Sequence, residues 1–362
     1  MWAFGAMLAL GDVAHAADTD SDLRSRIHDA WSKRQARLSA VSVEWSEKFL
    51  YRKGAQTLPP SLAQRFEFPA EDVLFDAPSR LTLNGDWMRY ETKNRGIYEG
   101  KTVVHDYISS YDGRSSRNHF FRGDKYPVGG IRKESERHNA DQSNFRIRAL
   151  MLWCRPLAKQ AHSINLGELR FDSDRQFVKD RPCVYGSSVS GLEEVWLDPE
   201  RDFVVCRVRE RQSGKTKLDV TIEYAFDERH GWAPSAWKAF ADFSLEVNQT
   251  DATVTKVEVG NARPQEYFHL EFPVGTWVVD TRSNAEHLDY IILEGGRIRP
   301  VPQADATATY EQIIASEPGM ALQTPRRSRF FFWVVSFNAL GATAIVAVCL
   351  WRRRKGGVAA RA

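Results

Sequence analysis

The chain has 362 residues, of which 43% are apolar and 12% aromatic, and its formal charge is +3. That composition can supply a core and excludes a disordered chain. From Arg326 on there are seven Arg, one Lys and no acid, which leaves −5 for residues 1–325 and −4 for residues 17–325. The folded part is therefore mildly acidic, where a nucleic-acid binder needs a basic stripe.

The N-terminus opens with a short apolar run, Trp2 to Leu10, followed by Ala14-His15-Ala16. This is the small-x-small pattern of a cleaved signal peptide over residues 1–16, with Ala17 as the first mature residue, although no Lys or Arg precedes the run. Asp20 to Leu38 has helical spacing in Leu23, Ile27, Trp31 and Leu38, and Asp20 or Ser21 can cap it. A strand should follow, with Val41, Val43, Trp45 and Phe49 on one face and Glu44 and Ser46 on the other. After the break at Leu58–Pro60 come Arg80–Leu83 and Trp87–Thr92, joined by Asn84-Gly85-Asp86, a hairpin signal. Val103–Ser109 reads as a strand and Tyr111-Asp112-Gly113 as a turn. Residues 123–145 are charged and polar and read as a long loop; Arg146–Trp153 reads as a short helix or buried segment.

From Phe177 the strand pattern is regular. Val184–Val189, Leu192–Leu197, Phe203–Arg211, Leu218–Phe226 and Trp237–Val247 succeed one another across short turns, and Thr253–Gly260 and Phe268–Phe272 continue the series. Such spacing predicts an antiparallel sheet and not a βαβ fold. The fold class is α+β, mainly β: a β-rich domain over residues 17–299 with an N-terminal helix. Residues 300–329, with four prolines, form a juxtamembrane linker.

Phe330 to Trp351 is an uncharged apolar run of 22 residues. As a helix it spans roughly 33 Å, enough to cross a bilayer. Trp333 and Trp351 sit near its ends, and Arg352, Arg353, Arg354 and Lys355 follow in the short basic tail 352–362. Together the two signals predict a single-pass inner-membrane protein. Its main domain is periplasmic and its C-terminus cytoplasmic. Without export of the N-terminus the chain would instead be tail-anchored, with a cytosolic domain.

Four cysteines are present. Cys349 lies in the apolar run, and Cys154, Cys183 and Cys206 are widely spaced with no CxxC. They allow at most one disulfide among the outer three and are expected to be buried thiols. No metal or cofactor motif occurs: there is no Walker A loop, no Gly-x-Gly-x-x-Gly and no HExxH. Gly186 to Gly191 has the wrong spacing for a nucleophile elbow, and Gly129-Gly130 and Gly295-Gly296 read as turn pairs. His105-Asp106 with His119 is the nearest approach to a cluster, and surface histidines are the default reading. Glu193-Glu194 are strand neighbours and face opposite ways. Asn248-Gln249-Thr250 matches a glycosylation sequon, which matters only in a secretory host.

Three phrases carry a resemblance: Trp87-Met88-Arg89-Tyr90-Glu91, Tyr111-Asp112-Gly113 and Glu194-Val195-Trp196-Leu197-Asp198-Pro199-Glu200. With the exported helix and meander they make residues 20–272 resemble the LolA/LolB-like lipoprotein-sorting carriers. The resemblance implies an incomplete β-barrel that holds acyl chains in an apolar concavity under helical lids. It implies a non-enzymatic protein, with lipid or acylated lipoprotein as partner and no cofactor. The C-terminal anchor departs from soluble carriers, since a tethered domain cannot shuttle. Trp87, Trp196 and Trp237 are the candidate ligand-facing residues, although an apolar side chain in a sealed core looks the same in sequence. The alternatives are a membrane-anchored envelope sensor that binds a partner protein and, third, a hydrolase with a dispersed site.

Overall fold

The computed structural model describes residues 3–52, 72–98, 101–122, 126–133, 145–157, 164–242, 247–282, 288–301 and 310–315. Helix α1 (Ala3–Arg37) leads into β1 (Ala40–Tyr51), β2 (Val73–Asn84), β3 (Trp87–Tyr98), β4 (Lys101–Tyr111), β5 (Ser115–Arg122) and β6 (Tyr126–Lys133). Helix α2 (Arg148–Cys154) follows. Then come β7 (Leu169–Val178), β8 (Arg181–Ser188), β9 (Glu193–Asp198), β10 (Val204–Gln212), β11 (Lys215–Asp227), β12 (Gly231–Asp242) and β13 (Val247–Val259). The first unit, Met1–Ile298, ends with β14 (Trp277–Asp280) and β15 (Leu288–Ile292). In the second unit, from Arg299 on, the described residues are the end of the strand Ile298–Val301 and the helix Tyr310–Ala315, where Ile313 is buried.

The sheet is open and runs in the order β15-β14-β6-β5-β4-β3-β2-β1-β13-β12-β11-β10-β9-β8-β7. It consists of two arms that share β1. That strand pairs antiparallel with β2 on one edge and with β13 on the other. The first arm is the hairpin succession β2 to β6. The second runs back from β13 to the free edge at β7. The expected antiparallel pairing holds except where β14 lies parallel to β6, and the meander is interrupted there and where β1 meets β13.

Alternation explains why one face closes. On β1, Val41, Val43, Trp45, Glu47 and Phe49 are buried, and the residues between them are half-buried or exposed. In register with them are Leu81 and Leu83 of β2, Tyr90 of β3, Ala252 of β13 and Trp237 of β12. These residues form the inner face. Against it packs α2, of which all seven residues are buried, and the buried side of α1, with Ile27, Trp31 and Arg34.

Three expectations need correction. The stretch 123–145 is not all loop, because β6 lies within it and pairs with both β5 and β14. Gly129-Gly130 is not a turn but the middle of β6. A Cβ on Gly129 would meet the Phe272 ring at 2.8 Å, and one on Gly130 would collide with the Asn118 amide oxygen. Close packing on both strand faces thus demands the glycines that disguise the strand. Phe268–Phe272 is not a strand. Its backbone carbonyls bond to side chains and not to a ladder: Arg89 donates to Tyr267 O (3.0 Å), Arg117 to Leu270 O (3.0 Å), and the Ser110 hydroxyl to Phe268 O.

The helix begins at Ala3, upstream of the expected Asp20, because the Ala- and Leu-rich stretch before it favours helix. Among the described residues no helix is long and apolar enough to cross a membrane, and the run Phe330–Trp351 lies outside them.

Candidate functional site

The inner face is built around an aromatic row. Tyr90 stacks on Trp45 with centroids 5.9 Å apart, and Trp45 meets Trp237 at 5.5 Å and 56°. Strand β1 supplies Trp45, β3 supplies Tyr90 and β12 supplies Trp237, so the row joins the two arms across their shared strand.

Beside the row the same phase of β1 inserts a charge. Glu47 is fully buried, and its cross-strand neighbours, Ala77 on β2 and Ala252 on β13, are both small. The space beside it is taken by Arg146, just ahead of α2. The Arg146 Nε donates to Glu47 Oε1 at 2.8 Å, and Nη2 donates to the same oxygen. Nη1 donates to Lys93 O at 3.0 Å, Nη2 donates to Thr92 Oγ1 at 2.7 Å, and the Ser79 hydroxyl donates to Glu47 Oε1 at 2.8 Å. Burial disfavours the Arg146 charge, but Tyr90 and Glu47 outweigh it and hold the guanidinium above its ordinary pKa. Burial pushes the Tyr90 phenol well above its usual range. A pair of this kind is costly to desolvate, and it persists because both partners are present and hydrogen-bonded.

α2 is held on the second arm too. Arg148, 5% exposed, reaches Glu210 at 2.7 Å and Glu193 at 3.2 Å. Burial raises the Glu193 carboxyl above its ordinary range. Beyond these anchors the rest of α2, Ala149 to Cys154, is apolar and fully buried. α1 locks over it: Arg34 Nε donates to Trp153 O at 2.9 Å and its Nη1 to Asp202 O at 2.8 Å, while Trp31 Nε1 donates to Phe203 O at 2.7 Å. Asp202 and Phe203 are both left-handed, with φ of 55° and 53°. That conformation is costly for a bulky residue such as Phe203. The two donors of α1 hold the carbonyls of this turn. Burial pulls Arg34 down to about 10 and pushes the Cys154 thiol up to about 12.

The three tryptophans singled out in the sequence do not converge. Trp237, 1% exposed, lies on the inner face. Trp196 is in register with Arg207 and Tyr185 on the outer face of the second arm, under Arg207 and Arg209 at 5.2 and 5.5 Å. Trp87 lies on the outer face of the first arm, 5.7 Å from Phe268. Trp237 meets Trp45, and Trp45 and Glu47 lie on the same inward phase of β1. Their sequence signal is an acid in the apolar phase of a strand.

Among the described residues no other constellation assembles. His119 is in register with Ile108 and so falls on the opposite face from His105. Burial lowers both histidines. Among the described residues no three His, Cys, Asp or Glu could hold a metal ion, and Cys154, Cys183 and Cys206 are buried free thiols. A groove of about 600 Å³ lies on the outer side of the second arm and β1, lined by Lys48, Leu50, Leu74, Arg207, Asp219, Lys238 and Phe240 among others.

No protein-family model and no curated protein matches the chain. Solved structures similar in fold include an outer-membrane lipoprotein-sorting protein domain from Vibrio parahaemolyticus (11% identity, 66% of this chain and 94% of that one, TM-score 0.38). A DUF1329 family protein from Desulfovibrio piger is similar at 9% identity over 70% and 96%, with TM-score 0.36. A LolA superfamily protein from Nitrosomonas europaea is similar at 10% identity over 67% and 97%, with TM-score 0.35.

Proposed function

We propose that this chain is a non-enzymatic, membrane-tethered envelope protein that binds acyl chains of a lipid or lipoprotein on the inner face of its sheet. One observation carries the reading. Among the described residues the broad apolar face is covered by the two-turn α2 and one side of α1, with no second sheet over it. An acyl chain would take the place of α2. Each buried methylene contributes about 0.8 kcal/mol, so a long chain can offset the displaced helix without specific polar contacts. Trp237 is the ligand-facing tryptophan in this reading. The run Phe330–Trp351 would tether the domain to the inner membrane, with Arg352–Lys355 on the cytoplasmic side.

The test is native mass spectrometry of the full-length protein, purified from the envelope of its own host, followed by lipid extraction. The expected result is a phospholipid or acylated peptide at near-equal stoichiometry. A bare protein mass, with no uptake of added fluorescent fatty acid, would overturn the reading. That result would move the assignment to a tethered sensor meeting a partner protein, a second reading supported by how fully α2 fills the inner face.

A further inference from the structure

The inner face leaves a group of hydrogen-bonding atoms unmet. The partners of Glu47 Oε1 are Ser79 on β2 and Arg146, which also holds Thr92 and Lys93 of β3. All of them lie on the first-arm side. Glu47 Oε2 has no partner. On the other side of Glu47 the register places Ala252, and beyond Ala252 it places Trp237. The indole Nε1 of Trp237 is also without a partner, as is that of Trp45, two residues before Glu47 on the same face. Trp45, Glu47 and Trp237 are exposed by only 2%, 0% and 1%. Buried polar atoms are rarely left unmet; Glu47 and Trp237 flank Ala252 in register, and the Trp45 ring lies 5.5 Å from that of Trp237, so the three call for a partner. The requirement is specific. The carboxylate oxygen needs a donor, and each indole N–H needs an acceptor.

We propose that the row Glu47–Ala252–Trp237 is a subsite for a neutral group that both donates and accepts, a hydroxyl or an amide, at the polar end of a bound chain. This deepens the acyl-chain reading and rests on it. Ala252, the smallest side chain of the row, provides the approach between its two larger neighbours. An ester accepts but cannot donate, so it would leave Glu47 Oε2 unmet. A free carboxylate would bring a second negative charge to Glu47. A water molecule offers the same chemistry as the hydroxyl, so the test separates a subsite filled by the ligand from one filled by water.

The experiment compares hexadecanol, hexadecanamide and methyl hexadecanoate as ligands of the full-length protein by native mass spectrometry. The alcohol and the amide should bind about tenfold more tightly than the ester, the effect of one buried hydrogen bond. Trp237→Phe keeps a ring in the core and should weaken the alcohol and amide by about tenfold. Trp45→Phe serves as the second variant. Equal binding of all three probes by the wild type would mean that water alone meets these atoms; it would overturn the subsite and leave the acyl-chain reading in place. Binding of none would overturn both. The wild-type comparison requires no variant to fold.

Discussion

The two arms of the sheet share an inner face and differ on the outer one. Over the first arm the chain returns: Phe268 and Leu270 are 0% and 6% exposed, and the side chains of Arg89, Ser110 and Arg117 hold the backbone carbonyls around them. Among the described residues of the first unit, none returns over the second arm in this way. There Arg207 bonds Asp219 at 2.6 Å, Arg209 bridges Asp219 and Glu194, and Arg211 bonds Glu194 at 3.1 Å, with Arg207 and Arg209 lying on Trp196. An outer face covered by chain can spend its charges on backbone carbonyls. An outer face without such cover pairs charges with each other and shields Trp196 beneath their aliphatic stems. The first solution buries apolar surface; the second gains little energy and keeps the surface soluble.

The largest test concerns the strand both arms share. Glu47→Ala leaves Arg146 buried without its partner and should cost about 3–5 kcal/mol in chemical denaturation. Loss of under 1 kcal/mol would mean that this pair does not hold the segment ahead of α2 on the first arm. Phe268→Ala opens a cavity under the returning segment and should cost about 3–4 kcal/mol. Trp196→Ala on the other arm should cost clearly less, and equal losses would erase the contrast between the outer faces.

Asp112 sharpens the comparison through pH. Burial alone would raise its carboxyl, but the N–H groups of Ser115 and Arg114, then His269, outweigh this and hold it below its ordinary 3.8. A carboxyl depressed in the folded state stabilises the fold above its unfolded pKa, and the contribution is lost as pH falls through the folded value. Asp112→Asn should therefore cost about 1–2 kcal/mol at neutral pH, and the difference should shrink as pH falls through the folded value. A loss independent of pH would show a role in shape and not in charge. At the small end, Lys238 and Asp251 form an exposed pair at 3.6 Å on the second arm. Lys238→Ala should change stability by less than about 0.5 kcal/mol, and any effect should shrink with added salt.

Much of the second arm was legible because its strands alternate and its turns carry Pro, Gly and Asp at the right places. The β2–β3 hairpin was legible from Asn84-Gly85, where Gly85 takes φ of 56°. β6 was not, because the glycines that let Phe272 and Asn118 approach also erase its strand signal. Phe268, Leu270 and Phe272 do alternate, so they read as a strand. Whether such a segment joins a ladder depends on where its carbonyls go, and distant side chains decided that. Glu47 was missed as part of the site because it sits in an apolar phase where an acid reads as an interruption. Only the arrival of Arg146, 99 residues later, makes it tolerable. Trp196 and Trp237 look alike in sequence. Their faces are set by strand register, including the bulge between Val205 and Arg207.

The shared position of β1 also governs the order of assembly. Its partnership with β2 closes locally, but the other edge must wait for β13, since Val41 pairs with Val259. A chain emerging N-terminus first can build hairpin after hairpin of the first arm while that edge of β1 stays open. Contacts so far apart in sequence close slowly, and an unpaired edge invites pairing with other chains. Between the appearance of β1 and that of β13 the chain thus carries an open edge that its own later sequence must close.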